Sequence, residues 1–180
     1  MLTARLRPEL PPIRRLLSVA PPEVDGLVDV LVDCVEGGAS IGFMLPLARA
    51  RAHEFWSGVA DAVGRGDRAL LVAEDDEGVC GTVQLILAQP DNQPHRADLS
   101  KMLVHRRARR RGLGEALMQA AEAVAVDCGK TLLVLDAVTD GDAYRLYSRL
   151  GWVRVGEVPD FALWPEGGYC STTFFYRSLV

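Results

Sequence analysis

The chain has 180 residues, 49% hydrophobic and 24% charged, with a formal net charge of −4. Length and composition fit one globular domain with a full core and exclude a disordered or fibrous chain. No apolar run approaches the ~20 residues of a membrane span, and the acidic balance gives no overall basic field to attract a long polyanion.

Residues 1–11 are rich in Pro and Arg and read as a flexible arm before a single domain over 12–180. A short strand is expected over 13–18. Pro21-Pro22 then starts a helix whose core face is Leu27, Val30, Leu31, Cys34 and Val35, stopped by Gly37-Gly38. Asp25, Asp29, Asp33 and Glu36 fall on the other side and read as a solvated acidic face. A second helix is expected over 46–63, with Phe55, Val59 and Ala62 inward.

Two aliphatic runs, 68–73 and 79–87, flank an acidic turn and predict an antiparallel hairpin. A Pro-containing loop leads to a third strand over 97–105. The helix over 115–127 carries an apolar stripe of Leu117, Ala121, Val124 and Cys128. The run 131–135 is apolar throughout, the pattern of a parallel strand buried on both faces and reached by a right-handed crossover. A helix over 142–150 and strands over 152–158 and 170–177 complete a mixed α/β sheet with helices on both faces.

Arg109-Arg110-Arg111-Gly112-Leu113-Gly114 lies between the third strand and the helix that follows it. Glycines at the first turn of a helix let bare backbone N–H groups approach an anion, and the helix dipole and flanking guanidiniums add favourable charge. This is the pattern expected of a phosphate cradle. A dinucleotide fold requires a third glycine where Leu117 stands, and the Gly-Lys-Ser/Thr of a Walker loop is absent. A nucleic-acid patch over 105–111 is the competing reading, but stacking aromatics do not interrupt the basic run.

The R-x-x-G-x-G turn after a strand ending Leu103-Val104 resembles the acetyl-coenzyme A signature of the GNAT superfamily of N-acetyltransferases. The segment from Ala143 through Tyr147 to Gly151-Trp152 resembles the family's A-x-x-x-Y-x-x-x-G-[FW] helix, and the two motifs together span over half the chain. Three further segments, 36–44, 73–76 and 96–98, resemble members of the family that modify small antimetabolite amines.

The resemblance implies a GNAT-like, mostly antiparallel sheet with a central splayed parallel strand pair. It implies acetyl-CoA as cosubstrate, with pantetheine lying in the splay against the backbone of Met102, Leu103 and Val104, and Arg109, Arg110, Arg111, Gly112, Leu113, Gly114 and Glu115 around the diphosphate. An amide near Leu103 is expected to face the acetyl oxygen. Arg106 and Arg107 are either solvated or in reach of the adenosine 3′-phosphate. Asp140 stands where many members have Asn against the coenzyme, which puts that contact in doubt.

An ammonium of pKa about 10.4 must lose its proton before it attacks a thioester. Asp98, expected on the same strand face as Val104, and Asp136, at the end of the neighbouring strand, are the candidate bases. Tyr147 matches the family tyrosine near the coenzyme sulfur, where a phenol of pKa about 10 can protonate a departing thiolate. On the same analogy Ser40, Phe43, Met44 and Trp164 border the acceptor, a small-molecule amine, in a monomer or homodimer.

Cys34, Cys80, Cys128 and Cys170 form no C-x-x-C pair, and free thiols in a reducing cytoplasm are expected. His53, His95 and His105 show no ligand spacing, and no metal site is expected.

Overall fold

In the computed structural model, residues 9–179 are described; most of the arm expected over 1–11 lies outside them. The elements run β1 (Ile13–Leu16), α1 (Pro21–Glu36), α2 (Arg49–Gly64), β2 (Arg68–Asp75), β3 (Gly78–Ile86) and β4 (Arg96–Val104). A single 3-10 turn, Arg106–Ala108, leads to α3 (Leu113–Asp127), β5 (Leu132–Val138), α4 (Asp142–Arg149), β6 (Val153–Leu163) and β7 (Tyr169–Ser178). Among the described residues the strands form one seven-stranded sheet in the order β1-β2-β3-β4-β5-β7-β6. All pairings are antiparallel except β4 with β5.

The sheet carries a core on each face. On one side α1 and α2 bury Leu27, Leu31, Val35 and Trp56 against Leu70 and Val72. On the other, α3 and α4 bury Leu117, Met118, Ala121 and Tyr147 against Leu71, Leu85, Leu133 and Phe175. Each such aliphatic side chain contributes about 1.5–3 kcal/mol by leaving water.

Several local expectations are corrected. The second helix begins at Arg49, and its core residue beside Val59 is the fully buried Trp56, with Phe55 at the edge. The buried stripe of α3 is Leu113, Leu117, Met118, Ala121 and Ala125, rotated from the one expected because the helix packs toward β3 and β4. The turn between β2 and β3 is tighter than expected, since Asp75 already pairs with Gly78. Strand β6 runs on to Leu163, so the loop before β7 is short.

Strand β5 is not buried on both faces. Leu133, Leu135 and Ala137 are covered by the α3 side, but Asp136 is exposed on the other. The helices α1 and α2 cover β1–β4 and leave this part of the sheet open.

Candidate active site

Strands β4 and β5 are paired only through Arg96–Leu132, Ala97–Leu133 and Asp98–Val134. Beyond that point β4 continues to Val104 and β5 to Val138 without pairing, so a wedge opens between them. A bulge in β4 accompanies the opening: Thr82 pairs with Leu103 but Gln84 with Ser100, so Lys101 and Met102 together oppose Val83. Lys101 takes a left-handed conformation there, with φ of 51°.

The bulge inverts the strand's alternation. Ala97 and Leu99 pack on the α3 side, but Leu103 packs on the α1 side. Asp98 and Val104 therefore face opposite sides of the sheet, contrary to the sequence expectation. The His105 N–H bonds the Cys80 carbonyl at 2.9 Å. By the alternation of an antiparallel ladder, Leu103 is directed toward β3 and the amide and carbonyl of Val104 toward the wedge.

At the mouth of the wedge, Gly112 has φ of 94°, a conformation that a side chain strongly disfavours, and α3 starts at the next residue. The amides of Gly112, Leu113, Gly114 and Glu115 have no hydrogen-bond acceptor among the described residues; the first ladder bond runs from Ala116 to Gly112 at 3.1 Å. A Cβ on Gly114 would come within 3.2 Å of Leu146, so this glycine lets α3 approach α4 closely.

The arginines divide into two groups. Arg106, Arg107 and Arg109 are spent on the protein itself. Asp33, only 8% exposed, accepts the Arg106 backbone N–H at 2.9 Å and the Arg106 guanidinium, with Arg109 at 3.6 Å and His105 at 3.5 Å. Asp33 is thus no part of a solvated acidic face; it ties α1 to the turn before the cradle. Arg107 forks onto Asp75 at 3.0 and 3.1 Å and donates to the Val79 carbonyl at 3.1 Å. Arg109 donates to the Val104 carbonyl at 2.8 Å. Arg110 and Arg111 are exposed and have no ion-pair partner among the described residues.

Tyr147 is 4% exposed, wedged edge-on to Phe175 and tilted against Trp152. Burial, then the charge of Asp136, pushes its phenol well above the ordinary range, so it stays protonated and able to donate. Asp136 accepts a hydrogen bond from Thr172 at 3.0 Å. Because Leu135 and Ala137 face α3, Asp136 projects from the opposite face of the sheet. Asp98 is held differently: Arg96 takes one carboxylate oxygen and Gln89 the other at 3.1 Å. Asp140 sits in a left-handed turn with φ of 59° between β5 and α4.

On the α1 and α2 side lies a cavity of about 470 Å³ lined by Ile41, Phe43, Phe55, Val59, Arg68 and Lys101, among others. Of the four residues expected around the acceptor, Phe43 lines it, edge-on to Phe55 with centroids 5.4 Å apart. Ser40 donates to the Leu163 carbonyl at 2.7 Å, and the Leu45 amide to the Pro165 carbonyl at 2.9 Å. These bonds bring the α1–α2 loop, with Met44, beside the hairpin end that carries Trp164. Sequence reasoning missed Lys101 and Arg68; a lone lysine inside the run 99–104 was the available signal.

Burial pushes the Cys34 thiol up and raises Cys80 to about 11, so neither is a ready nucleophile. No cluster that could hold a metal ion occurs among the described residues. None of their helices is long and apolar enough to cross a membrane.

An opened parallel strand pair with a glycine-bearing helix start at its mouth defines an acyltransferase of the N-acetyltransferase class. The model of the acetyltransferase (GNAT) family matches residues 41–152, and the chain belongs to that family. An uncharacterized N-acetyltransferase of Azospirillum brasilense, from the hisH-hisA intergenic region, is 30% identical over 126 residues, covering 69% of this chain and 73% of the relative. The fold is also that of a phosphinothricin acetyltransferase from Sinorhizobium meliloti solved with acetyl-CoA: TM-score 0.77, 17% identity, 94% of this chain and 89% of that one. A ribosomal-protein-alanine N-acetyltransferase from Brucella melitensis superimposes with TM-score 0.75, 20% identity, and 92% and 98% coverage.

Proposed function

We propose that the chain transfers the acetyl group of acetyl-CoA to the primary amine of a small, amino-acid-like molecule by direct attack in a ternary complex. The observation that carries this reading is the wedge itself. It runs from unbonded amides at the start of α3 to a point where Asp136 and Tyr147 approach from opposite faces of the sheet.

The amides of Gly112, Leu113, Gly114 and Glu115 fit a diphosphate, with Arg110 and Arg111 adding charge at the rim. The backbone of Met102 and Val104 lines the wedge where pantetheine would lie, with Leu103 between them in register with Thr82. Asp140, in the turn between β5 and α4, would meet the coenzyme from the β5 side of the opening.

Bound acetyl-CoA supplies an activated carbonyl and a thiolate leaving group. Asp136 takes the proton of the acceptor ammonium, directly or through a water, and Tyr147 donates a proton to the departing sulfur. An amide on the open edge of β4 donates to the acetyl oxygen. Asp98 lies on the same face as the cavity but has both oxygens engaged, which favours Asp136 as the base. Ser40, Phe43, Met44 and Trp164 belong to the acceptor side.

The small-molecule reading draws on residues 36–44, 73–76 and 96–98, which resemble the tabtoxin resistance acetyltransferase of plant-pathogenic bacteria. The phosphinothricin acetyltransferase fold points the same way. The Brucella melitensis fold keeps acetylation of a protein N-terminus as the alternative. Strand β6 forms the sheet edge and exposes Val153, Val155, Phe161 and Leu163, which favours a homodimer over a monomer. Calorimetric titration with acetyl-CoA, followed by thiol release across amines, amino acids and peptides, tests the reading. Absence of binding sinks it, and binding without release for any acceptor leaves an acyl-CoA sensor.

A further inference from the structure

We propose that the cavity under α2 is an anion subsite in which Lys101 and Arg68 hold the carboxylate of the acceptor. This rests on the acetyltransfer reading and narrows its substrate to α-amino acids or close analogues with an apolar side chain.

Lys101 is one of two lysines in the chain, the other being Lys130. The bulge carries its side chain over the Phe55 ring, with Nζ 5.6 Å from the centroid. No carboxylate lies within ion-pair distance of it among the described residues. Arg68 likewise has no ion-pair partner there: its neighbour Asp67 pairs with Arg65 at 2.8 Å. Its guanidinium is fixed instead by a 2.6 Å bond to Gln84, a fully buried residue. The remaining charges of the cavity, Arg51 and Glu54, satisfy each other at 2.6 Å.

Two cations thus share a cavity about 470 Å³ in volume, with Ile41, Phe43, Phe55 and Val59 in its walls, and neither has a carboxylate at ion-pair distance among the described residues. Burial lowers both; for Lys101 the charge of Asp136 partly offsets this while that of Arg68 adds to it, and for Arg68 the charge of Asp67 partly offsets it. A carboxylate entering the cavity relieves this repulsion and accepts charge-assisted hydrogen bonds from both groups.

Direction and reach define the ligand. Lys101 shares the cavity with Arg68 and is also coupled electrostatically to Asp136, so the positive subsite and the proposed base act on a common side chain. A zwitterion with adjacent ammonium and carboxylate fits that order, ammonium to Asp136 and carboxylate to Lys101 and Arg68. Ile41, Phe43, Phe55 and Val59 then meet an apolar side chain. The first residue of a protein N-terminus offers an amide where the carboxylate is required.

The test compares an apolar amino acid, its carboxamide and the corresponding decarboxylated amine in the wild-type chain, in Lys101→Met and in Lys101→Arg. The wild type should prefer the acid in kcat/KM, that preference should fall about ten-fold in Lys101→Met, and Lys101→Arg should restore part of it. A wild type that prefers the amide or the decarboxylated amine overturns the anion subsite while leaving acetyl transfer intact.

A second readout needs no turnover. Lysines labelled by reductive ¹³C-methylation give two side-chain NMR signals, assigned with Lys130→Arg. The titration midpoint of Lys101 should rise when methionine or leucine is added, and stay put with their amides. An unmoved Lys101 signal with every apolar amino acid overturns the proposal. Failure of acetyl-CoA to bind in calorimetry instead overturns the acetyltransfer reading on which it rests.

Discussion

Asp33 accepts the backbone N–H of Arg106 at 2.9 Å across 73 residues of sequence, and it grips the same residue's guanidinium. One carboxylate on the last turns of α1 therefore holds the turn that delivers β4 into the cradle. Replacing it with Asn keeps an acceptor for the amide and removes the charge. Asp33→Asn should cost about 2 kcal/mol in urea unfolding and weaken acetyl-CoA binding in calorimetry. Unchanged values in both would mean that the turn is held by its own 3-10 geometry.

Gly112 tests the cradle itself. Its φ of 94° strains any side chain, while open space surrounds the position where a Cβ would sit. Gly112→Ala should therefore lower stability by about 1 kcal/mol, yet shift the amides enough to weaken acetyl-CoA about ten-fold. Thermal melting with and without the coenzyme separates the two effects.

Tyr147→Phe removes a hydroxyl from a ring otherwise packed on Phe175 and Trp152. Turnover should drop about 100-fold, with acetyl-CoA affinity retained. Because burial raises this phenol above its usual range, the tyrosine is protonated throughout neutral and mildly basic pH. Any alkaline limb of the pH–rate profile in that range should persist in the variant. Disappearance of the limb would assign it to Tyr147 and contradict the buried environment.

The two carboxylates should separate cleanly. Asp136→Asn is expected to reduce kcat at least about 100-fold, as loss of a general base does. Asp98→Asn should act mainly on stability, because it breaks the contact with Arg96 at the start of β4 and disturbs Gln89 in the loop after β3. Steady-state kinetics beside urea unfolding distinguishes them; the reverse pattern would move the base to Asp98.

Asp75 carries an acid-stability signature. The forked hydrogen bonds from Arg107 hold its carboxyl below the usual carboxylate range. The stability it contributes is present above the unfolded value of about 3.9 and is lost as pH falls through the lower folded one. Asp75→Asn should flatten the fall of melting temperature below about pH 4 and leave its neutral-pH slope unchanged.

Local patterns made much of this protein legible from its residues. The core face of α1, the hairpin of β2 and β3, the crossover through α3 and the glycine turn are all written within short windows. Helical and strand periodicities and turn chemistry depend on neighbours along the chain. The GNAT motifs are legible for the same reason.

Only the folded sheet decided the rest. The bulge at Lys101 and Met102 exists because β3 and β4 pair out of step, and it reverses which face every later β4 side chain occupies. It sets an ordinary lysine over the Phe55 ring, in the same cavity as Arg68 of another strand. Asp33 looked solvated because its partners come from a turn far along the chain. Charge pairing across strands and helices is set by register and packing, and neither has a signature in the order of residues on one element.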